Sequence, residues 1–93
     1  MSILVRFTGA PSMGTALYDE TLPEIEASGE WPPDGLAFHC AFVADGSFRV
    51  SEVWDSQEKF EAFGARLMPI LNAAGIELAG PPEIFEVHNI ISR

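Results

Sequence analysis

The sequence predicts a small α+β domain with the element order βαββαβ. The chain has 93 residues, which suits one compact domain and is too short for a second hydrophobic core. Hydrophobic residues make up 47% of it, a typical value for a globular protein. Apolar segments with the two-residue period of strands alternate with segments of helical period in this order. We therefore expect residues 1–93 to form a single domain.

The first strand and the first helix follow each other closely. β-Branched and aromatic side chains fill residues 3–8, and Gly9-Ala10-Pro11 then ends the predicted strand. Ser12 or Thr15 is expected to cap the helix that follows, and Pro23 is expected to bend or break it. The residues predicted to share the inward face of this helix are Leu17, Tyr18, Thr21, Leu22 and Ile25.

The middle of the chain predicts a β-hairpin. Residues 28–35 contain two prolines and two glycines, so they form a loop, and Trp31 within it is expected to pack against the domain or against a neighbouring molecule. Two strands follow at residues 36–43 and 48–54. The Asp-Gly dipeptide at residues 45–46 between them is a strong hairpin signal, so the strands are predicted to be antiparallel.

A second helix and a last strand complete the predicted order. Asp55 or Ser56 can cap the helix, Pro69 marks a kink or restart, and Gly75 is placed to end it. The last strand is predicted at residues 84–91. The apolar stripe of the second helix consists of Phe60, Phe63, Leu67, Ile70 and Leu71.

This order is that of a ferredoxin-like fold, in which a four-stranded antiparallel sheet carries both helices on one face. The other face then needs an explanation. Residues 36–43 carry no formal charge on either side of their strand, and residues 84–91 are largely apolar. A sheet with one face in water should alternate apolar and charged residues. We therefore expect a second copy to cover the open face in a sheet-to-sheet homodimer, although the pattern leaves open which face carries His39.

Charge and cysteine content limit the partners. Fourteen acidic residues against five basic ones give a formal charge of -9, which disfavours nucleic acid and anionic membrane surfaces. The single cysteine, Cys40, cannot form a disulfide within the chain. No apolar run has the length of a membrane span or a signal peptide. A soluble cytoplasmic protein is expected.

Residues 52–63, with the sequence EVWDSQEKFEAF, resemble the dimeric α+β barrel superfamily, which includes antibiotic-biosynthesis-type and haem-degrading monooxygenases and many uncharacterised proteins. The resemblance consists of a tryptophan that closes the third strand, then Asp-Ser and an amphipathic helix. It implies a pocket between the sheet and the helices of each subunit, with Trp54 lining it.

The same resemblance bears on cofactors. The haem-degrading branch pairs this tryptophan with a histidine in the next helix and with an asparagine on the first strand. Here the helix position is Gly64, and the first strand has Arg6 and Phe7 but no asparagine. Without an axial histidine we expect no haem and no other cofactor. The cofactor-independent monooxygenase branch remains compatible with these residues.

Several side chains are candidates for chemistry. His39 is either a base in a closed pocket or a structural histidine satisfied by a hydrogen-bond partner. For His88 the structural role is favoured. Tyr18 either directs its hydroxyl into the cavity or is core. Glu52 is expected to pair with an arginine such as Arg6 or Arg49, or else to reach the rim of the pocket or to act as an acid or base. The candidate catalytic residues are His39, Trp54 and Tyr18, and the predicted pocket consists of Tyr18, Phe38, His39, Glu52, Trp54, Phe60 and Phe63.

Two functions follow from these features. The first is a protein with a pocket for a small apolar or aromatic molecule, as a binder or as a cofactor-independent monooxygenase-like or isomerase-like enzyme. The second is a non-catalytic dimerisation or ligand-binding module, because no complete catalytic motif is present. The two histidines have no carboxylate or cysteine at ligand spacing in sequence, so no metal site is expected.

Overall fold

The computed structural model describes residues 1–93 and contains four strands and two helices. In chain order they are β1 (Ile3–Thr8), α1 (Thr15–Ala27), β2 (Leu36–Ala44), β3 (Ser47–Trp54), α2 (Gln57–Ala74) and β4 (Glu83–Glu86). The strands form one sheet in the order β2-β3-β1-β4, and all neighbours are antiparallel. The predicted ferredoxin-like fold is confirmed.

Both helices cover the same face of the sheet, and the hydrophobic core lies between them and the strands. Val5 of β1 and Trp54 of β3 are fully buried, and Ile3 and Phe63 complete the central cluster. The Trp54 ring packs against Phe63 of α2 with ring centroids 5.6 Å apart. This contact fixes α2 over β3, a strand that carries two residues of the site described below.

The loop before β2 also joins the core. Trp31 packs against the central cluster, and its ring centroid lies 6.4 Å from that of Phe63. The expectation that this tryptophan packs against the domain is confirmed.

Helix α1 differs from its prediction at two points. Its N-cap is Gly14, which makes no side-chain cap, so neither Ser12 nor Thr15 has the expected capping role. Pro23 lies inside a continuous helix and does not break it. A proline at this position removes the hydrogen bond to the carbonyl of Asp19, and Asp19 is exposed, so water can satisfy that carbonyl.

Helix α2 has the expected boundaries and is continuous through Pro69. The Ser56 hydroxyl accepts a hydrogen bond from the backbone N–H of Lys59, as a helix cap does. Gly75 ends the helix in the left-handed conformation, with φ of 74°.

Strand β4 is shorter than predicted. It spans Glu83–Glu86, so residues 87–91 of the predicted strand lie outside the sheet. The register explains this difference. Ile3, the first residue of β1, already pairs with Glu86, and after one further bond from Val87 N–H to the Ser2 carbonyl the neighbouring strand ends.

The second face of the sheet has no helix on it. Phe38 of β2 is 55% exposed, and Phe42 and Phe85 are also exposed together with Cys40. We call the face that contains Phe38, Cys40, Phe42 and Phe85 the open face. Neither α1 nor α2 combines the length and the apolar character that a membrane-spanning helix needs.

Gly64 lies inside α2 and Gly75 ends it, and substitution of each by alanine tests the backbone conformation at these two positions. A side-chain methyl would meet no heavy atom within 4 Å at either Gly64 or Gly75, so the two sites differ in backbone conformation and not in space. Gly64→Ala is expected to stabilise the helix by roughly 0.5–1 kcal/mol. Gly75→Ala places a side chain at positive φ and is expected to destabilise the protein by about 1–2 kcal/mol.

Urea unfolding of the two variants and the native protein measures both effects. The opposite signs are the result to check. If Gly75→Ala were as stable as the native protein, the left-handed end of α2 would not exist in solution.

Candidate active site

A cavity of about 370 Å³ lies between the helix-covered face of the sheet and the two helices. Hydrophobic residues dominate its wall, and none of the residues that line it is a lysine or arginine. The lining residues are Phe7, Gly9, Met13, Tyr18, Thr21, Ile25, His39, Phe48, Val50, Glu52, Phe60, Phe63, Gly64, Leu67, Met68, Leu71, Ile76, Leu78, Gly80, Pro81 and Pro82.

Alternate side chains of strand β3 point to the cavity side of the sheet. Phe48, Val50, Glu52 and Trp54 share the helix-covered face, because side chains two residues apart in a strand point the same way. His39 of β2 is the direct partner of Glu52 across the strand pair. The two side chains are therefore neighbours on one face, at the distance where cross-strand pairs interact.

Glu52 is a buried carboxylate with a hydrogen bond to each oxygen. The residue is 6% exposed. Its Oε2 lies 2.6 Å from His39 Nδ1, and its Oε1 accepts a hydrogen bond from the Trp54 indole N–H at 3.0 Å. An unpaired buried carboxylate would be costly, so these two donors keep the charge inside the fold.

Tyr18 extends the chain of hydrogen bonds from the sheet to α1. Its hydroxyl lies 2.8 Å from His39 Nε2, the ring nitrogen that Glu52 does not contact. The Tyr18 ring also stacks on the His39 ring and packs against Phe48, with centroids 6.0 and 5.2 Å away. Tyr18, His39, Glu52 and Trp54 thus form one connected group, which we call the relay.

The donors and acceptors of the relay have one consistent assignment when Glu52 is ionised and His39 is neutral. The Trp54 indole nitrogen can only donate, so Glu52 accepts. His39 then donates its Nδ1 proton to Glu52 Oε2, which leaves Nε2 as an acceptor for the Tyr18 hydroxyl. A proton that arrived at Tyr18 could therefore pass to His39, where Glu52 would stabilise the resulting imidazolium.

The pKa of Tyr18 agrees with the hydroxyl as the donor in its hydrogen bond to His39. Burial raises the pKa of the Tyr18 hydroxyl above its ordinary value of 10.0, and the negative charge of Glu52 raises it further, as do Asp19 and Glu26. The hydroxyl therefore keeps its proton near neutral pH. It is available as a donor to His39 and, through its oxygen lone pairs, as an acceptor for another group.

The structure brings most of the sequence-predicted site residues together. Tyr18, His39, Glu52, Phe60 and Phe63 all line the cavity.

Two predicted pocket residues lie elsewhere. Trp54 does not line the cavity: its side chain is fully buried, where it packs against the rings of Phe60 and Phe63. Phe38 lies on the open face, because it precedes His39 in the same strand and successive side chains point to opposite faces. Both residues are corrections to the predicted pocket wall.

The expected partner of Glu52 is also corrected. Arg6 and Arg49 do not contact it, because both alternate onto the opposite face of the sheet, where Arg6 is exposed. The sequence places no carboxylate near His39, but the structure brings Glu52, thirteen positions away in the chain, into contact with it. The strand pairing closes that separation.

Several wall residues were not singled out from the sequence. Phe7 of β1 and Phe48 and Val50 of β3 follow from the two-residue period of the strands once one inward residue is known. Met13, Leu78 and Pro81 carry no such signal, because they lie outside helices and strands and their placement depends on tertiary contacts. The second histidine, His88, is exposed after β4, away from the relay.

No protein-family model and no curated protein matches the sequence. Solved structures do match the fold. SnoaB, a cofactor-independent oxygenase from Streptomyces nogalater, superimposes with a TM-score of 0.62 at 18% identity, over 99% of this chain and 96% of that one. A Chloroflexus aurantiacus protein, described as a proposed antibiotic biosynthesis monooxygenase, gives a TM-score of 0.62 at 15% identity, over 98% and 95% of the two chains.

A third structure is somewhat more similar in sequence. A protein of unknown function from Nitrosomonas europaea is 25% identical over 99% of this chain and 90% of that one, with a TM-score of 0.53. The resemblance noted at residues 52–63 is confirmed at the level of fold: the chain has the fold of the antibiotic biosynthesis monooxygenase-like proteins. Because one fold supports many activities, the function must be argued from the relay and the cavity.

The only tyrosine of the chain is Tyr18, so the tyrosinate absorbance of the folded protein reports the relay directly. Its midpoint is expected above pH 10.0. Glu52→Gln should lower that midpoint, because one negative charge is removed, but burial should still hold it above the ordinary value. Glu24→Gln, on the same helix but not among the charges that act on Tyr18, is the matched control and should leave it unchanged.

The same shift affects stability in alkali. The pKa of Tyr18 is higher in the folded state than in the unfolded state. Its contribution to the free energy of unfolding is therefore fully present below pH 10.0 and is lost as pH rises through the folded pKa. Circular dichroism at each pH confirms that the fold persists during the titration. Equal midpoints in the native protein and Glu52→Gln would contradict the proximity of Tyr18 and Glu52.

Proposed function

We propose that this protein is a cofactor-independent enzyme, monooxygenase-like or isomerase-like, that removes a proton from a small apolar ring compound. One observation carries the proposal: the relay from Tyr18 through His39 to Glu52 opens on an apolar cavity between sheet and helices. Catalytic sites combine these two features, since an apolar wall binds the substrate while a few polar groups act on it.

The residues have separate roles in this proposal. Tyr18 accepts the hydroxyl proton of the substrate while its own proton passes to His39 Nε2, so that His39 is the net base. Glu52 stabilises the imidazolium and orients the ring through Nδ1. A cavity of about 370 Å³ lies at the small end of ligand pockets, which fits a compound of two or three fused rings.

Two reactions can follow the proton transfer, and dioxygen distinguishes them. Return of the proton to a ring carbon gives the keto tautomer of the substrate, which is an isomerisation. Reaction of the ring anion with dioxygen inserts one oxygen atom at a ring carbon, and the other oxygen leaves as water with the two displaced hydrogens. The oxygenase reading draws support from SnoaB, whose fold this chain shares.

A single probe, alpha-naphthol, tests both reactions. In heavy water, deuterium at the ring carbon para to the hydroxyl reports tautomerisation. Uptake of one dioxygen with formation of the para-naphthoquinone and one water reports oxygenation. His39→Asn is expected to reduce the active reaction by at least roughly 100-fold, the usual contribution of a general base.

His88→Asn is the matched control, because it changes an exposed histidine away from the cavity. Tyr18→Phe removes one hydroxyl and keeps the ring packing, so it separates loss of chemistry from loss of fold. If native protein binds alpha-naphthol and catalyses neither reaction, the alternative of a non-catalytic ligand-binding module is supported and the enzymatic proposal is wrong.

We also propose that the protein is a cytoplasmic homodimer in which the open faces of two copies pack together. The exposure of Phe38 and Phe42, which share one face of β2, and of Phe85 on β4 supports this pairing, because exposed apolar side chains on an uncovered sheet face favour an interface. The same surface patch would then serve both subunits about a two-fold axis. The single cysteine fits a reducing compartment.

Sedimentation velocity at micromolar concentration tests the dimer. The native protein is expected to sediment as a dimer and Phe38→Asp as a monomer, because the new charge would be buried unpaired in the interface. Met68→Asp introduces the same charge at an exposed residue of α2, on the helix side, and should remain dimeric. A native protein that sediments as a monomer would refute this assembly.

A further inference from the structure

The direction of the hydrogen bonds in the relay restricts what a ligand can present to Tyr18. Both oxygens of Glu52 accept, one from Trp54 and one from His39. This arrangement commits the Nδ1 proton of His39 to Glu52. In neutral His39 the other ring nitrogen, Nε2, is then an acceptor, and the Tyr18 hydroxyl donates a hydrogen bond to it.

The Tyr18 oxygen that remains available in the cavity can therefore only accept. A ligand group placed there must donate a hydrogen bond, as a hydroxyl or an amine does. A carbonyl, ether or carboxylate oxygen would meet the lone pairs of the Tyr18 oxygen and would lose its own hydrogen bond to water. The raised pKa of Tyr18 agrees with a hydroxyl that stays protonated near neutral pH.

The charges around the cavity also restrict the ligand. The wall of the cavity has no lysine or arginine, and its one carboxylate, Glu52, is buried. Asp19 and Glu26 of α1 add negative charge near Tyr18. A negatively charged ligand would find neither a counter-charge nor a donor in the relay.

We propose that the cavity selects ligands by hydrogen-bond polarity: it binds neutral ring compounds that donate to Tyr18 and rejects otherwise similar compounds that only accept. The selection reverses when His39 is protonated. Nε2–H then donates to the Tyr18 oxygen, and the Tyr18 proton becomes free to donate to a carbonyl. If the proposed proton transfer occurs, this reversal would favour a carbonyl product immediately after the hydroxyl substrate has given up its proton.

Three naphthalene probes of similar size test the proposal. They are alpha-naphthol, its methyl ether, and alpha-acetyl-naphthalene, in which an acetyl group on the ring replaces the hydroxyl. Binding is measured by titration calorimetry near neutral pH, where the naphthol is un-ionised. Alpha-naphthol is expected to bind roughly tenfold more tightly than either acceptor-only probe, the effect of one net hydrogen bond. Tyr18→Phe should remove the preference.

Thr21→Val is the matched control for the Tyr18 substitution. The Thr21 hydroxyl lies in the cavity wall but donates its proton to the carbonyl of Leu17, outside the relay. This variant should keep the preference for alpha-naphthol. A preference that survives in Tyr18→Phe, equal binding of all three probes to the native protein, or binding of none would overturn the proposal.

A second series, in which the pH is lowered in steps, tests the reversal. The protonation of His39 is followed by nitrogen NMR of its ring, with exposed His88 as the internal reference. As His39 becomes protonated, the ratio of alpha-naphthol to acetyl-naphthalene affinity should fall in the native protein and stay constant in Tyr18→Phe. A ratio independent of His39 protonation would show that the relay does not set the polarity.

This inference adds detail to the site of the proposed function, and its test does not require turnover. A protein that shows the polarity preference without deuterium exchange or dioxygen uptake would support the inference while the enzymatic proposal fails. Turnover of alpha-naphthol without any preference over the methyl ether would give the reverse result.

Discussion

The buried carboxylate of Glu52 is the constraint on which the site depends. At 6% exposure its charge requires donors from the protein, and the fold supplies one from each side. Trp54 comes two positions later on the same strand, and His39 comes from the neighbouring strand in register. Both donors are fixed by strand geometry, so the orientation of His39 is a consequence of satisfying Glu52.

This arrangement also explains why Trp54 lies outside the cavity wall. An indole has a large apolar ring and one polar N–H, so it suits a position where the ring is core and the nitrogen reaches a buried acceptor. Trp54 packs between β3 and α2 and donates to Glu52 from that position. Its part in the site is to hold the carboxylate, which in turn holds the histidine.

The two faces of the sheet have different roles. On the helix-covered face, the apolar wall and the relay leave a cavity instead of closing completely. On the open face, phenylalanines from β2 and β4 are left without cover within one chain. A chain of this length buries only a limited share of its surface by itself. Because one face of the sheet borders a cavity, covering the open face would add the most buried surface.

The order of the elements and the hairpin could be predicted because they depend on local signals, such as the Asp-Gly turn and the Ser56 cap. The end of β4 could not, because it is set by where β1 runs out of residues to pair with. Pro23 and Pro69 were expected to interrupt helices. Each removes a hydrogen bond from a carbonyl on an exposed turn, where water replaces it.

For the site, the sequence by itself determined the candidate side chains and the element that carries each of them. Only the tertiary structure decided the face of β2 on which His39 lies, because that strand is uncharged on both sides and its alternation reads equally well in either register. Pairing with β3 placed His39 opposite Glu52, and packing of α1 brought Tyr18 to its free nitrogen. These contacts join residues distant in the chain, and no local pattern encodes them.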